Sequence, residues 1–99
     1  MRDVTDHIGI LRIDFHLPEA QSLKDKRMVV KSLKDRIRRE FNVSVSELDA
    51  LDKWQMGTLG CAMIGNDPSF LQSALGNVAK WVEGHWTDGD VIEEKVEII

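Results

Sequence analysis

Along residues 7–17 the side chains alternate one by one, with Gly9, Leu11, Ile13, Phe15 and Leu17 on one side and Ile8, Ile10, Arg12, Asp14 and His16 on the other. A period of two belongs to a strand with one face on a core and one mixed face. Pro18, which has no backbone donor, ends it. From residue 22 the period changes. Leu23, Val30, Leu33, Ile37 and Phe41 recur at spacings that return to one face of a helix. Ser22, with Asp25 three residues on, offers an N-cap and an acid in the first turn, so a helix is predicted over 22–41.

The strand period returns in two segments. Residues 42–48 are β-branched at Val43 and Val45, and residues 54–64 set Leu59, Cys61 and Met63 against Thr58, Gly60, Ala62 and Ile64. The polar stretch 49–53 between them reads as a hairpin connection. Asn66, Asp67 and Pro68 then open a second helix, since Asp67 can accept orphan amide protons and Pro68 suits the first helical position. Phe70, Leu71, Ala74, Leu75, Val78, Trp81 and Val82 give this helix a wide buried face to about Glu83, with Gly84 placed to stop it. In the last strand, 91–99, Glu93, Lys95 and Glu97 oppose Ile92, Val96 and Ile98. The order β-α-β-β-α-β makes two split β-α-β units. Right-handed crossovers then give an α+β ferredoxin-like sandwich: an antiparallel sheet in order 4-1-3-2 with both helices on one face.

Composition narrows the setting. The 99 residues suit one domain spanning 1–99, and 42% hydrophobic with 30% charged residues describes an ordinary folded globule. The single cysteine, Cys61, forms no internal disulfide and supplies no set of thiolates for zinc, which fits a reducing compartment. No apolar run approaches the roughly 20 residues of a membrane span, and the beginning of the chain, with Arg2, Asp3 and Asp6, lacks the apolar region of a signal peptide. A cytoplasmic protein without a membrane partner is expected.

Charge changes the picture further. The net charge is −4, yet residues 1–49 sum to +1 and residues 50–99 to −5. Lys24, Arg27, Lys31, Lys34 and Arg38 follow one another at steps of three and four, placing five cations on one helical stripe, with Lys26, Arg36 and Arg39 on neighbouring faces. Such a row is either a solvated face or a phosphate-binding one. The second reading makes RNA or a ribosomal particle the partner, with Arg12 on the open sheet face extending the surface. A row of cations supplies affinity without reading bases.

The open sheet face suggests an alternative. Ile8, Ile10, Met56 and Ile64, with Trp54, surround the small residues Gly60 and Ala62, and exposed together they form the kind of patch a second copy buries, giving a homodimer. Catalysis is disfavoured: Asp14, His16, His7, His85, Asp49 and Asp52 fall in no triad, metal or phosphate-loop spacing, so neither a catalytic residue, a metal nor a cofactor is expected. Cys61 reads as a small core residue, and Trp81 and Trp86 read as closing the second helix against the sheet.

Several blocks carry a family likeness: Gly9 to Ile13 with His16-Leu17-Pro18, Ser22-Leu23-Lys24-Asp25-Lys26-Arg27, Phe41-Asn42-Val43-Ser44-Val45, Trp54-Gln55, Thr58-Leu59-Gly60 and Asn66-Asp67. Together they resemble the YlxP-like family of small bacterial proteins of unknown function, over nearly the whole chain. The resemblance implies the ferredoxin-like fold and a cytoplasmic bacterial setting. Genes of that family often look to be neighbours of translation initiation and ribosome maturation genes, which by resemblance implies a ribosome or RNA role. The chain departs from the family pattern at Lys53, Met56 and Gly57, where relatives commonly carry an apolar residue and an Arg-Ala pair.

Overall fold

The computed structural model describes residues 5–99. Its elements are β1 (His7–His16), α1 (Leu23–Glu40), β2 (Ser44–Asp49), β3 (Met56–Gly65), α2 (Pro68–His85) and β4 (Asp90–Ile98). The strands form one sheet in the order β2-β3-β1-β4, every neighbouring pair antiparallel. This is the expected ferredoxin-like order read from the other edge. Leu11, Ile13 and Phe15 of β1 share one buried cluster with Val30, Leu33 and Ile37 of α1 and Leu75, Val78 and Val82 of α2. Both helices therefore cover the same face, because only that face of the alternating strands is apolar throughout.

The caps follow the sequence at both helix starts. Ser22 accepts from the Asp25 amide at 3.1 Å, and the Asp25 carboxylate accepts from the Gln21 amide at 3.0 Å, a reciprocal pair that satisfies donors at the start of α1. Asp67 accepts from the Ser69 amide at 2.9 Å with Pro68 following it. At the end of α1 Phe41 leaves in an extended conformation while its amide still donates to Ile37. The end of α2 differs from the expected stop at Gly84: that residue lies within α2, which continues to His85, and Trp86 ends it in an extended conformation. No glycine among the described residues adopts a left-handed conformation. Burial of Trp86 edge-on against Phe15, at 5.8 Å between ring centroids, draws the chain off the helix axis instead.

Three other side chains depart from their expected places. Phe70 is exposed at the first turn of α2, beyond the rim of the sheet. Ile92 is exposed because a bulge in the β1–β4 ladder pairs Phe15 with Val91 and Asp14 with Glu93, so Val91 takes the inward place. Trp81 meets Phe41 edge-on at 6.0 Å and so ties the end of α1 to α2, while Trp86 is the one that closes α2 onto the sheet.

One core position is charged. Lys26 falls three residues after Leu23 and four before Val30, on the apolar stripe of α1 and not among the cations beside it, and its side chain is 1% exposed. Its ammonium lies 2.8 Å from Oε2 of Glu47 and donates to the Ala50 carbonyl oxygen. An ammonium buried this deeply is tolerable only with such partners. The contact binds α1 to the end of β2 and to Ala50, whose φ of 57° turns the chain toward β3.

The second buried charge problem sits at β4. Glu94 faces inward opposite Ile13, on the same side of β4 as Val96 and Ile98. Burial first, then a hydrogen bond and repulsion from Glu83 of α2, push its carboxyl up from 4.5 to about 7. Between those values the folded chain holds a proton that the unfolded chain releases, so stability falls as pH rises through that window.

Two stability measurements follow from these groups. Lys26→Met leaves Glu47 without its counter-charge and is expected to lower unfolding free energy by about 2–3 kcal/mol, below the full cost of breaking a buried pair because Glu47 keeps some water. Urea titration of Lys26→Met/Glu47→Leu is expected to recover most of that loss; equal losses in both variants would remove the pairing as its cause. For the carboxyl pair, Glu94→Gln is expected to raise the melting temperature at pH 8 and to change it little below pH 4.5, where the native carboxyl is already neutral in both states.

Candidate nucleic-acid interface

The helical spacing places the expected cations on one face of α1. Lys24, Arg27, Lys31 and Arg38 are exposed and Lys34 is half-buried. Arg27, Lys31, Lys34 and Arg38 border a shallow groove of about 330 Å³ between α1 and β2, with Val30 in its floor and Glu47 on its far side. They are not equally free. Lys31 donates to Asp35 at 2.9 Å, and Arg38 donates to the Val45 carbonyl at 2.8 Å while its other terminal nitrogen lies 3.6 Å from Asp35. The hydrogen bond from Lys31 holds the Asp35 carboxyl below its ordinary value. The charges of Lys31, Arg38 and Arg39 reinforce the shift, opposed by partial desolvation. Among the described residues Lys24, Arg27 and Lys34 form no ion pair.

The flanking cations separate by role. Lys26 belongs to the core, as described above. Arg36 lies over the Trp81 ring at 5.2 Å and reaches the His85 carbonyl at 3.4 Å, while His85 stacks on the same ring at 5.0 Å. Arg39 is exposed beside that group. These residues form a second, aromatic-backed corner where the two helix ends meet.

On the open sheet face the ladder sets Ile8 opposite Ile64, Ile10 opposite Ala62, Arg12 opposite Gly60, Asp14 opposite Thr58 and His16 opposite Met56. The expected interface set is thus divided. Ile8, Ile10 and Ile64 lie together, whereas Met56 is eight positions away along β3, roughly 27 Å. Ile99 joins the first group, since its backbone exchanges hydrogen bonds with Ile8 at 2.8 and 3.2 Å and its side chain is 66% exposed. It stands one alternation beyond Glu93, Lys95 and Glu97, on the side of β4 that the sequence marks as acidic.

At the Met56 end the connection between β2 and β3 borders an open cleft of about 580 Å³. Arg12, Asp14, Leu48 and Thr58 line it from the sheet, and Leu51 and Lys53 line it from the connection. Thr58 Oγ1 donates to Asp14 Oδ1 at 2.6 Å and fixes that carboxylate. Leu48 of β2 lies across Gly60, where an added Cβ would come within 2.5 Å of Leu48 Cδ1, so the glycine lets that side chain lie against β3. The sequence signals a hairpin here without signalling a cavity. Only the excess length of residues 50–55 over a tight turn distinguishes them.

Of the residues weighed for chemistry, Asp14, Asp49 and Asp52 line this cleft, while His85 lies at the corner with Trp81. His85 Nδ1 lies 2.9 Å from the Trp81 carbonyl oxygen, and burial pushes the Cys61 thiol up to about 11, far from the thiolate a nucleophile needs. Among the described residues no group of three or more His, Cys, Asp or Glu side chains could hold a metal ion. No helix among them is long and apolar enough to cross a membrane.

Comparison with known proteins matches residues 8–96 to the family described as protein of unknown function (DUF503). An uncharacterized protein YlxP of Bacillus subtilis (strain 168) is 32% identical over 76 residues, covering 77% of this chain and 83% of that protein. Among solved structures, the de novo designed protein Foldit4 aligns over 95% of this chain and 96% of its own, with a TM-score of 0.52 and 14% identity, a likeness of fold alone. SnoaB, a cofactor-independent oxygenase from Streptomyces nogalater, aligns over 97% of this chain and 92% of its own, with a TM-score of 0.44 and 11% identity. That score carries no argument about activity.

Proposed function

The chain belongs to the family described as protein of unknown function (DUF503), and we propose that it is a cytoplasmic bacterial binding domain, not an enzyme, that docks on RNA, free or within a ribosomal particle, through the exposed face of α1. One observation carries this reading: Lys24, Arg27 and Lys34 share that face with Lys31 and Arg38 and make no ion pair among the described residues. Uncommitted cations in a row, with a groove beside them, suit a line of phosphates. The acidic residues of β4 lie at the opposite edge of the sheet. At a Debye length of about 8 Å they are too far off to cancel the field at α1.

The contact is one of charge, so it is measured by salt. Replacing Lys24, Arg27 and Lys34 together with Gln is expected to weaken binding to single-stranded RNA. The log–log salt slope should become shallower by about 2, at roughly 0.7 per lost phosphate contact. The melting temperature should stay nearly constant, because none of the three is in the core. Fluorescence anisotropy and co-sedimentation with ribosomal particles at two salt concentrations provide the readout. An unchanged slope would take the stripe out of the account.

A second reading has its own observation, the clustering of Ile8, Ile10, Ile64 and Ile99 at one end of the open sheet face. In this reading two copies bury that end against each other, with the basic helix a solvated surface. Ile64 is 73% exposed, so Ile64→Glu should leave the monomer fold intact and convert a dimer to a monomer in light scattering. A parent protein already monomeric at high concentration excludes it.

A further inference from the structure

The open cleft bordered by the β2–β3 connection is separate from the basic groove, and the groups in it suit a base better than a phosphate. Its volume of about 580 Å³ falls within the range of small-molecule sites. Apolar walls come from Leu48, Leu51 and Met56, and Trp54, 52% exposed, stands beside the opening. The best-fixed polar group is an acceptor: Asp14, tied by Thr58 through Oδ1, accepts no other side-chain hydrogen bond among the described residues and leaves Oδ2 open. Arg12 and Lys53 stand at the same cleft, while Asp49 accepts from the Ala50 amide at 2.8 Å and Asp52 adds a further negative charge. That mixture repels an isolated phosphate from the interior and leaves the two cations for phosphates flanking it.

We propose that this cleft is a subsite for one unpaired guanine of the bound RNA, with Asp14 accepting from its Watson–Crick edge and Arg12 and Lys53 meeting the neighbouring phosphates. The proposal rests on the RNA reading above and adds the base preference that the stripe on α1 cannot supply. Guanine presents two adjacent donors, N1–H and N2–H, to which one carboxylate can bind with both oxygens. Adenine, cytosine and uracil each place an acceptor beside a donor on that edge. Single-stranded recognition of this kind requires the base to be splayed out of a stack, which the apolar walls and Trp54 favour. The path is short: Glu47 borders the groove on the α1 side and the next residue, Leu48, borders the cleft, so the two sites adjoin across the outer strand β2.

Anisotropy with labelled eight-nucleotide oligouridines carrying one central guanosine, inosine or adenosine tests the subsite on the intact protein. The guanosine oligomer is expected to bind at least about fivefold more tightly than the other two, since inosine lacks the N2 donor and adenosine lacks both. Asp14→Asn keeps an acceptor for Thr58 but loses the second carboxylate oxygen, and should bring the three affinities together without altering the salt slope. Equal binding of the three oligomers by the parent protein, or a preference that survives Asp14→Asn, overturns the subsite and leaves the role of α1 standing. Failure to bind any oligomer or any ribosomal particle in dilute buffer overturns both.

Discussion

The Lys26 ammonium lies among core residues, out of water, and must be satisfied there; both groups that satisfy it, the Glu47 carboxylate and the Ala50 carbonyl, belong to β2 and the residue after it. That requirement fixes where α1 lies along the sheet and where the chain turns after β2. Hydrophobic contacts between a helix and a sheet are tolerant of small slides, because apolar groups have no direction. A buried ammonium with two oxygen partners is not. The groove on one side of β2 and the cleft on the other are both bounded by residues adjacent to this contact, so their shapes depend on it.

The same contact changes the accounting of charge on α1. Eight cations occur between residues 24 and 40, which as a bare count gives a strongly basic helix. In the fold one of them is buried with Glu47, one lies on Trp81, and Lys31 and Arg38 share Asp35. What remains for an external anion is a narrower set, Lys24, Arg27 and Lys34, with Arg39 near the helix end. Exposed ion pairs such as that of Lys31 are worth little and can exchange a carboxylate for a phosphate at small cost. Lys31 and Arg38 can therefore join a ligand that the unpaired cations attract first.

The architecture was legible because one face of β1 and β3 and one stripe of each helix obey their periods almost without interruption. The face assignments of both central strands, the Ser22 and Asp67 caps and the strand order agree with the alternation of residues. What alternation cannot register is a local break in it. The bulge at Ile92 sends that side chain outward and puts Val91 in its place, an outcome set by pairing with β1 and invisible in the sequence of β4 alone. Glu94, which meets Glu83, instead shares the face of Val96 and Ile98 by plain alternation. Lys26 was open to recognition, since it occupies the apolar spacing between Leu23 and Val30. A lysine there reads as one more surface cation until its partner, twenty-one residues away, is placed beside it. The open-face set was divided for a related reason: shared face does not mean proximity when Met56 and Ile64 stand at opposite ends of one strand.

Affinity and selectivity make opposite demands on a surface, and in the function proposed above the edge strand β2 would keep them apart. Long cationic side chains in water adapt to many phosphate geometries, which gives strength without discrimination. Discrimination needs a polar group held still, and holding it still takes burial and a second hydrogen bond, as Thr58 provides for Asp14. Placing such a carboxylate among the cations of α1 would neutralise them, as Asp35 already does in part. On the opposite face of the sheet it is free of that conflict, while the shortness of the step from Glu47 to Leu48 still lets one extended ligand touch both. A flat sheet could not offer this arrangement; it follows from the connection after β2 being long enough to border a cleft, with its first residue, Ala50, pinned by Lys26.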